Sequence, residues 1–499
     1  MRRVLIHALL ASATGALLPA IAHAQGGGEA ACTALANARV DSAIAIAAKW
    51  VAADSAGGLP AFCEVSATLS PAQGSQIGVV YRLPETWNGK LLGLGGGGWA
   101  GNVTLMSAAP GLKEGYATAQ TDGGHPSTSP WDTDWTVNPE AVTDFAYRAI
   151  NRMTVAGKAV VERYYGRKQD KAYFHGCSTG GRMALMEAQR FPEDYDAIIS
   201  EAPVYTLQVQ TSAVLRSMLF KTANGISPEQ LKLVNDAVLG ACDAKDGLKD
   251  GVIADPRRCD WKPQSLVCKP GEAPGATCLS DKQAFLFDAL YAGWADDGLW
   301  KSWPLSKGGE LGWSMFITTD GTGVTQASGG GLPGLSHLVL GDMEVDFNHF
   351  GFNTLVPRIL SSDFAKTYGA DDPDLSAFIA RGGKLLLWHG ESDPGPSPVA
   401  TADYYAAALK ATPGAANAIR LFMAPGVGHC RGGAGADLVD NLGALDQWTQ
   451  SGKAPETLTA TKANSPMKRL LCAWPKVAKF SGAGDENDPA AYTCETLAS

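Results

Sequence analysis

Apolar positions along the chain change their spacing repeatedly, and each change marks an element. Short alternating or continuous apolar runs predict strands over residues 77–82, 90–93 and 116–120. A helical spacing follows over 141–165, then a strand at 172–175, a helix over about 181–190 and a strand at 197–200. Strand and helix in alternation predict an α/β protein with a mostly parallel sheet and helices on both faces. From about residue 204 to 353 the pattern dissolves into a stretch with Cys242, Cys259, Cys268 and Cys278, five tryptophans and the run Gly329-Gly330-Gly331. Alternation resumes at 384–388 and 419–423, each run followed by a glycine-containing loop. The predicted organisation is a core of residues 25–203 and 354–499, interrupted by a cross-linked insertion over 204–353.

The N-terminus sets the expected compartment. Arg2 and Arg3 precede a mainly apolar stretch over residues 4–18, and Ala22-His23-Ala24 offers a small-x-small cleavage site. A membrane anchor is the alternative, but His7, Ser12 and Thr14 interrupt the run and Pro19 stops it, short of a spanning helix. Residues 1–24 therefore read as a cleaved signal peptide of a secreted or periplasmic protein, with no membrane association afterwards. All ten cysteines lie beyond that cut. An even number in an oxidising compartment predicts five disulfides.

Composition narrows the class. With 45% hydrophobic and only 18% charged residues, and with 58 Gly and 28 Pro, the chain is loop-rich and globular, neither coiled coil nor disordered. A net charge of −9 without a Lys/Arg block argues against nucleic acid as partner.

Gly176-Cys177-Ser178-Thr179-Gly180-Gly181 carries the sharpest chemistry. It is G-x-S-x-G between a predicted strand and a predicted helix, the setting in which a tight turn projects a serine Oγ from the edge of a sheet. An ordinary glycine-rich turn is the bland alternative. A serine nucleophile needs a base, and the base an orienting carboxylate, in the chain order Ser, Asp/Glu, His. His389 and His429 are the histidines that follow both Ser178 and the insertion. His429, in Gly426-Val427-Gly428-His429-Cys430 after a strand, stands where a base is expected, and Asp393 is the acid. His389 reads as a sheet-edge histidine in a hydrogen bond. Backbone donors for an oxyanion are expected from Thr179 and from the loop Gly95-Gly96-Gly97-Gly98-Trp99, with Gly97, Gly98 and Trp99 left open as the second donor. No Lys-Ser/Thr follows that loop, so it is not a phosphate cradle. Cys177 and Cys430 flank Ser178 and His429, and a bridge between them would tie the two loops together; a free Cys177 nucleophile is the rival. No organic cofactor is called for.

The Cys-Ser, Asp, His-Cys arrangement resembles the tannase and feruloyl esterase family of α/β-hydrolases, which includes the bacterial hydrolase of mono(2-hydroxyethyl) terephthalate. Trp87-Asn88-Gly89-Lys90, Thr121-Asp122-Gly123-Gly124-His125, Arg381-Gly382-Gly383-Lys384 and His389-Gly390 extend the resemblance over nearly the whole mature chain. It implies an α/β-hydrolase fold, a lid made by the insertion, and disulfides Cys32–Cys63, Cys177–Cys430, Cys242–Cys259, Cys268–Cys278 and Cys472–Cys494. It also implies a structural Ca²⁺ in the lid, held by the side chains of Asp243, Asp246 and Asp250 and the carbonyls of Leu248 and Val252. That hard oxygen set suits Ca²⁺, though the loop is not an EF-hand; a solvated acidic turn is the alternative.

The implied reaction is hydrolysis of esters of aromatic acids, attached to a small alcohol, a plant polysaccharide or a polyphenol. Trp294, Trp300, Trp303, Trp313 and Phe316 are candidate pocket walls. The terephthalate hydrolase uses a lid arginine for a free carboxylate, whereas residues 294–349 here contain no Arg and only Lys301 and Lys307 as cations. That departure favours a neutral phenolic acyl group, such as feruloyl or galloyl. The reading from another class is an inactive, Ca²⁺-bound carbohydrate- or polyphenol-binding protein, against which the intact Ser178, Asp393 and His429 set speaks.

Overall fold

The computed structural model describes residues 24–25, 27–296 and 300–496. The expected signal peptide, apart from Ala24, lies outside the described residues. Nine strands form the central sheet: β1 (Ala43–Val51), β2 (Phe62–Leu69), β3 (Ile77–Pro84), β4 (Lys90–Leu94), β5 (Ala117–Thr121), β6 (Lys171–Cys177), β7 (Ala197–Glu201), β8 (Lys384–Gly390) and β9 (Ile419–Ala424). Their spatial order is β9-β8-β7-β6-β4-β5-β3-β2-β1. Pairings from β9 through to β5 are parallel, and those of β5, β3, β2 and β1 are antiparallel.

Period-two alternation explains how continuous apolar runs make a sheet buried on both faces. Phe174, Ile198, Leu385 and Leu387 enter a core with Met153 and Val160 of helix α1 (Ala149–Tyr165) and Leu185 of helix α2 (Thr179–Arg190). Their neighbours Tyr173, Ile199, Leu386 and Trp388 enter a second core, with Leu445 and Trp448 from the helix Asn441–Ser451 near the C-terminus. The predicted strands recur, most of them longer by one to three residues. β1 and β2 were not predicted: β1 is alanine-rich and largely exposed, so its alternation is faint. The single helix expected over 141–165 is three pieces, because a wide i→i+5 turn at Asp144–Arg148 separates Pro139–Thr143 from α1.

Between β7 and β8 no strand of the large sheet occurs. Helices α3 (Gln208–Thr222) and α4 (Pro228–Cys242) begin this stretch, and residues between Phe220 and Ile317 build a separate core around Val234, Phe287 and Trp313. Leu332, Leu335 and Val339 instead join the main core, as do Val356 and Phe364. The stretch 204–353 is thus partly an independent unit and partly a cover on the sheet. Among the described residues no helix is long and apolar enough to cross a membrane.

Candidate active site

Ser178 closes β6 and opens α2, with φ 64° and ψ −122°, a strained conformation for a non-glycine residue. The turn is held by backbone bonds. Ser178 N–H donates to the Glu201 carbonyl at 3.0 Å, and its own carbonyl accepts from Arg182 and Val204 at 3.1 and 3.2 Å. Close approach sets a second requirement. A Cβ on Gly176 would lie 2.4 Å from the Gly180 carbonyl oxygen, and one on Gly180 would lie 2.8 Å from that of Gly96. Glycine there lets β6, α2 and the loop after β4 touch backbone to backbone, which seats the glycine-rich loop beside Ser178.

Trp99 anchors that loop at three atoms. Its N–H donates to the Pro130 carbonyl at 2.8 Å, its indole N–H donates to the Gly330 carbonyl at 2.9 Å, and its carbonyl oxygen lies 2.8 Å from His125 Nε2. His125 stacks on Trp135, and burial lowers its pKa, so the neutral ring donates. Of the three residues left open as second oxyanion donor, Trp99 has its N–H committed. Those of Gly97 and Gly98 make no hydrogen bond among the described residues.

Asp393 and His429 follow the neighbouring parallel strands β8 and β9, which brings them together. His429 Nδ1 lies 2.6 Å from Asp393 Oδ2. A proton on Nδ1 leaves Nε2 as the acceptor. Burial acts to raise the Asp393 pKa, but His429 and His389 outweigh it and hold the carboxyl down at about 2. His389, fully buried, places Nε2 3.2 Å from the same Oδ2 and 3.2 Å from the Pro396 carbonyl, and Nδ1 2.7 Å from Thr401 Oγ1. Both neighbours of Nε2 are acceptors, so Nε2 carries the proton and Thr401 donates to Nδ1. His389, expected to make a hydrogen bond at the sheet edge, makes it to Asp393. Arg216 of α3, also buried, donates to the carbonyls of Pro394, Gly395 and Trp303, each at 3.0 Å, and so ties the acid loop to the stretch above it. Burial pushes its pKa down to about 10 against the pull of Asp393, leaving it charged.

Five disulfides are present, Cys32–Cys63, Cys177–Cys430, Cys242–Cys259, Cys268–Cys278 and Cys472–Cys494, with no free cysteine among the described residues. Cys177–Cys430 spans 253 residues and joins the neighbours of Ser178 and His429. Glu201 reinforces the same junction. Its carboxylate meets His175 at 3.0 Å, Arg431 at 3.5 Å and the Asn441 amide at 2.6 Å. Burial acts to raise its pKa, yet His175, Arg431 and Asn441 bring it down to about 2. No sequence motif marked Glu201 or Arg216, whose partners lie far away in the chain.

Ser178, Thr179, Gly97, Gly98 and His429 line one cavity of about 750 Å³. Its other side comes from the stretch between β7 and β8, through Val209, Gln210, Ala213, Met315, Phe316 and Gly330. Of the four expected aromatic walls whose side chains are described, Phe316 is found there, edge-on to the His429 ring with centroids 4.9 Å apart. Trp313 packs in the separate core with Phe220 and Phe287, Trp303 is buried against Tyr205, and Trp294 is exposed on a hairpin. The Trp300 side chain lies outside the described residues. The aromatic walls supplied instead are Trp99 and Trp131; Trp99 was expected at the site only for its backbone, and Trp131 lacked any signal distinguishing it from core.

In the acidic loop, Asp243 accepts from the N–H groups of Asp250 and Gly251, Asp246 from Leu248, and Asp250 from Val252. Asp250 also pairs with Arg469 at 2.6 Å. Among the described residues no group of three His, Cys, Asp or Glu side chains is gathered as metal ligands would be. The donor chemistry, carboxylates with the Leu248 and Val252 carbonyls, is all oxygen and suits a hard cation.

The sheet, with a serine on such a turn, is an α/β-hydrolase fold, and likeness to known esterases makes the chain a carboxylic ester hydrolase. The chain belongs to the tannase and feruloyl esterase family: the family model described as "Tannase and feruloyl esterase" matches residues 63–495. It is 32% identical to the mono(2-hydroxyethyl) terephthalate hydrolase of Piscinibacter sakaiensis, over 88% of this chain and 86% of that protein. It is 33% identical to a probable feruloyl esterase of Arthroderma benhamiae, over 87% and 85%. The solved structure of feruloyl esterase B from Aspergillus oryzae superposes with a TM-score of 0.81 at 25% identity, over 93% of this chain and 99% of that one.

Proposed function

We propose that the chain is a secreted serine esterase of aromatic, phenolic acid esters, working through an acyl-enzyme. Ser178 Oγ attacks the ester carbonyl while His429 Nε2 takes its proton, and Asp393 orients the ring and stabilises the imidazolium. The N–H of Thr179 and that of Gly97 or Gly98 receive the oxyanion. His429 returns the proton to the departing alcohol, then activates the water that frees the acid. The stretch over residues 204–353 acts as the lid that shapes the acyl pocket.

One observation carries the substrate class: among the described residues, no Lys, Arg, Asp or Glu lines the cavity shared by Ser178 and His429. A free carboxylate, as in a terephthalate monoester, would enter without a cation to replace its water. A neutral phenolic acyl group meets aromatic walls instead. The panel that tests this is methyl ferulate, methyl gallate and mono(2-hydroxyethyl) terephthalate, assayed in parallel. The first two should be cleaved with much the higher kcat/KM; a preference for the terephthalate ester would overturn the neutral-acyl reading and leave the esterase.

The proposal extends to one structural Ca²⁺ in the loop from Asp243 to Val252. Arg469 offsets one of three carboxylate charges there, and a divalent cation would offset the rest. Secretion is supported by the N-terminal pattern and the five disulfides.

A further inference from the structure

We infer that Gln210 is a specificity-determining residue whose side-chain amide receives a hydroxyl group on the acid portion of the substrate. The inference rests on the esterase reading above and adds the group that reads the acyl ring. Gln210 lies on α3, is only 4% exposed, and lines the same cavity as Ser178 and His429. Its Oε1 is buried and has no hydrogen-bond partner among the described residues. Three other glutamines of the insertion, two buried and one half-buried, are satisfied. Gln230 and Gln283 bond to each other and to backbone, and Gln326 uses both ends of its amide on Trp131, Thr133 and Gly334. A buried amide oxygen left unpaired costs free energy, and such a group at a cavity wall marks where a ligand supplies the partner.

Neighbouring atoms fix where that amide sits. A Cβ on Gly330 would come 3.1 Å from Gln210 Cγ, so the stem is packed against Gly330. The Gly330 carbonyl is itself occupied by the Trp99 indole N–H. The side chain therefore belongs to the wall that faces the glycine-rich loop, among Val209, Ala213 and Trp99, all of them buried. Met315 and Asn102, in contrast, are exposed at the rim of the cavity. In an acyl-enzyme reaction the alcohol must leave while the acid stays bonded to the serine. The deep wall consequently faces the acid, and the open rim faces the departing alcohol.

Chemistry narrows the partner to a hydroxyl. Among the described residues no cation lines the cavity, so the group that meets Gln210 is uncharged. A phenol can donate to Oε1, and would satisfy the amide in the flipped orientation too by accepting from Nε2. A carboxylate has no proton to give Oε1. A bare or methylated ring position leaves the oxygen unpaired.

The test compares methyl 4-hydroxycinnamate with methyl cinnamate, which differ by that hydroxyl alone, on the wild-type protein and on Gln210→Met and Gln210→Asn. Thermal unfolding reports whether each variant is folded. The wild type should favour the hydroxylated ester in kcat/KM, and the ratio should drop at least about tenfold in Gln210→Met. Gln210→Asn, which retracts the amide by one methylene, should lower it as well and carries the comparison if Gln210→Met does not fold. A wild-type ratio near one, or an unchanged ratio in folded variants that still cleave both esters, overturns the role of Gln210 and leaves the esterase standing. A folded wild type that cleaves neither ester overturns the aromatic-ester reading and this inference with it.

Discussion

At Asp393 two histidines share one carboxylate oxygen, and only His429 reaches the cavity. His389 acts through Asp393, with Thr401 setting its tautomer. His389→Ala should lower kcat by roughly ten- to a hundredfold with little change in KM, because a small misplacement of a catalytic group costs rate before binding; steady-state kinetics on methyl ferulate check it. Glu201 gives a second expectation, in stability. Its carboxyl is held down at about 2 in the folded chain, below its ordinary value. The stability it contributes is thus fully present above the ordinary carboxylate range and fades as pH falls through about 2. Linkage puts it at roughly 3 kcal/mol at neutral pH. Glu201→Gln should be clearly less stable than wild type at pH 7, and the gap should narrow between pH 5 and 2. Melting temperatures of both proteins across that range are the check. The Ser, Asp and His positions were legible because turn chemistry and chain order are local signals. Gln210, Glu201 and Arg216 were not, since burial and distant partners define them and neither shows in a window of sequence.

At the scale of elements, the turn after β6 and the loop after β9 are joined by Cys177–Cys430 and again by Glu201. Closing a loop of 253 residues has a nominal chain-entropy value of roughly 5 kcal/mol. Its local effect is to fix the separation of Ser178 and His429. Replacing both cysteines with alanine should depress kcat more than it raises KM, while removing Cys268–Cys278 from the insertion should do the reverse. An unchanged kcat in the folded double variant would show that the bridge has no part in positioning. The strands of this region were readable from their apolar runs. Trp294, Trp303 and Trp313 were misread as pocket walls because large aromatics signal burial, and sequence does not separate core from cavity: Trp313 fills a core, whereas Trp131 borders the cavity.

Over the whole molecule, the loops that follow the sheet's strands bring Ser178, Thr179 and His429 to the cavity and the stretch between β7 and β8 supplies the opposite wall. The break in alternation from residue 204 announced that stretch. Its split between a separate core and the main core, with Leu332 and Leu335 in the latter, required the fold. If Ca²⁺ occupies the Asp243–Val252 loop, chelation should lower the melting temperature by several degrees and restoring calcium should recover it. The initial rate per folded molecule should change far less, because the loop contributes no residue to the cavity. Metal analysis of the purified protein without calcium, and a melting temperature indifferent to added calcium, would remove the cation from the account.

The central claim is that Ser178 is the nucleophile of an aromatic ester hydrolase. Its most direct test is the turnover of methyl ferulate by purified Ser178→Ala, shown by thermal unfolding to be as folded as wild type. Its kcat should fall by at least about a thousandfold, since the hydroxyl that forms the acyl-enzyme is gone. Turnover at the wild-type rate by the folded variant would contradict it.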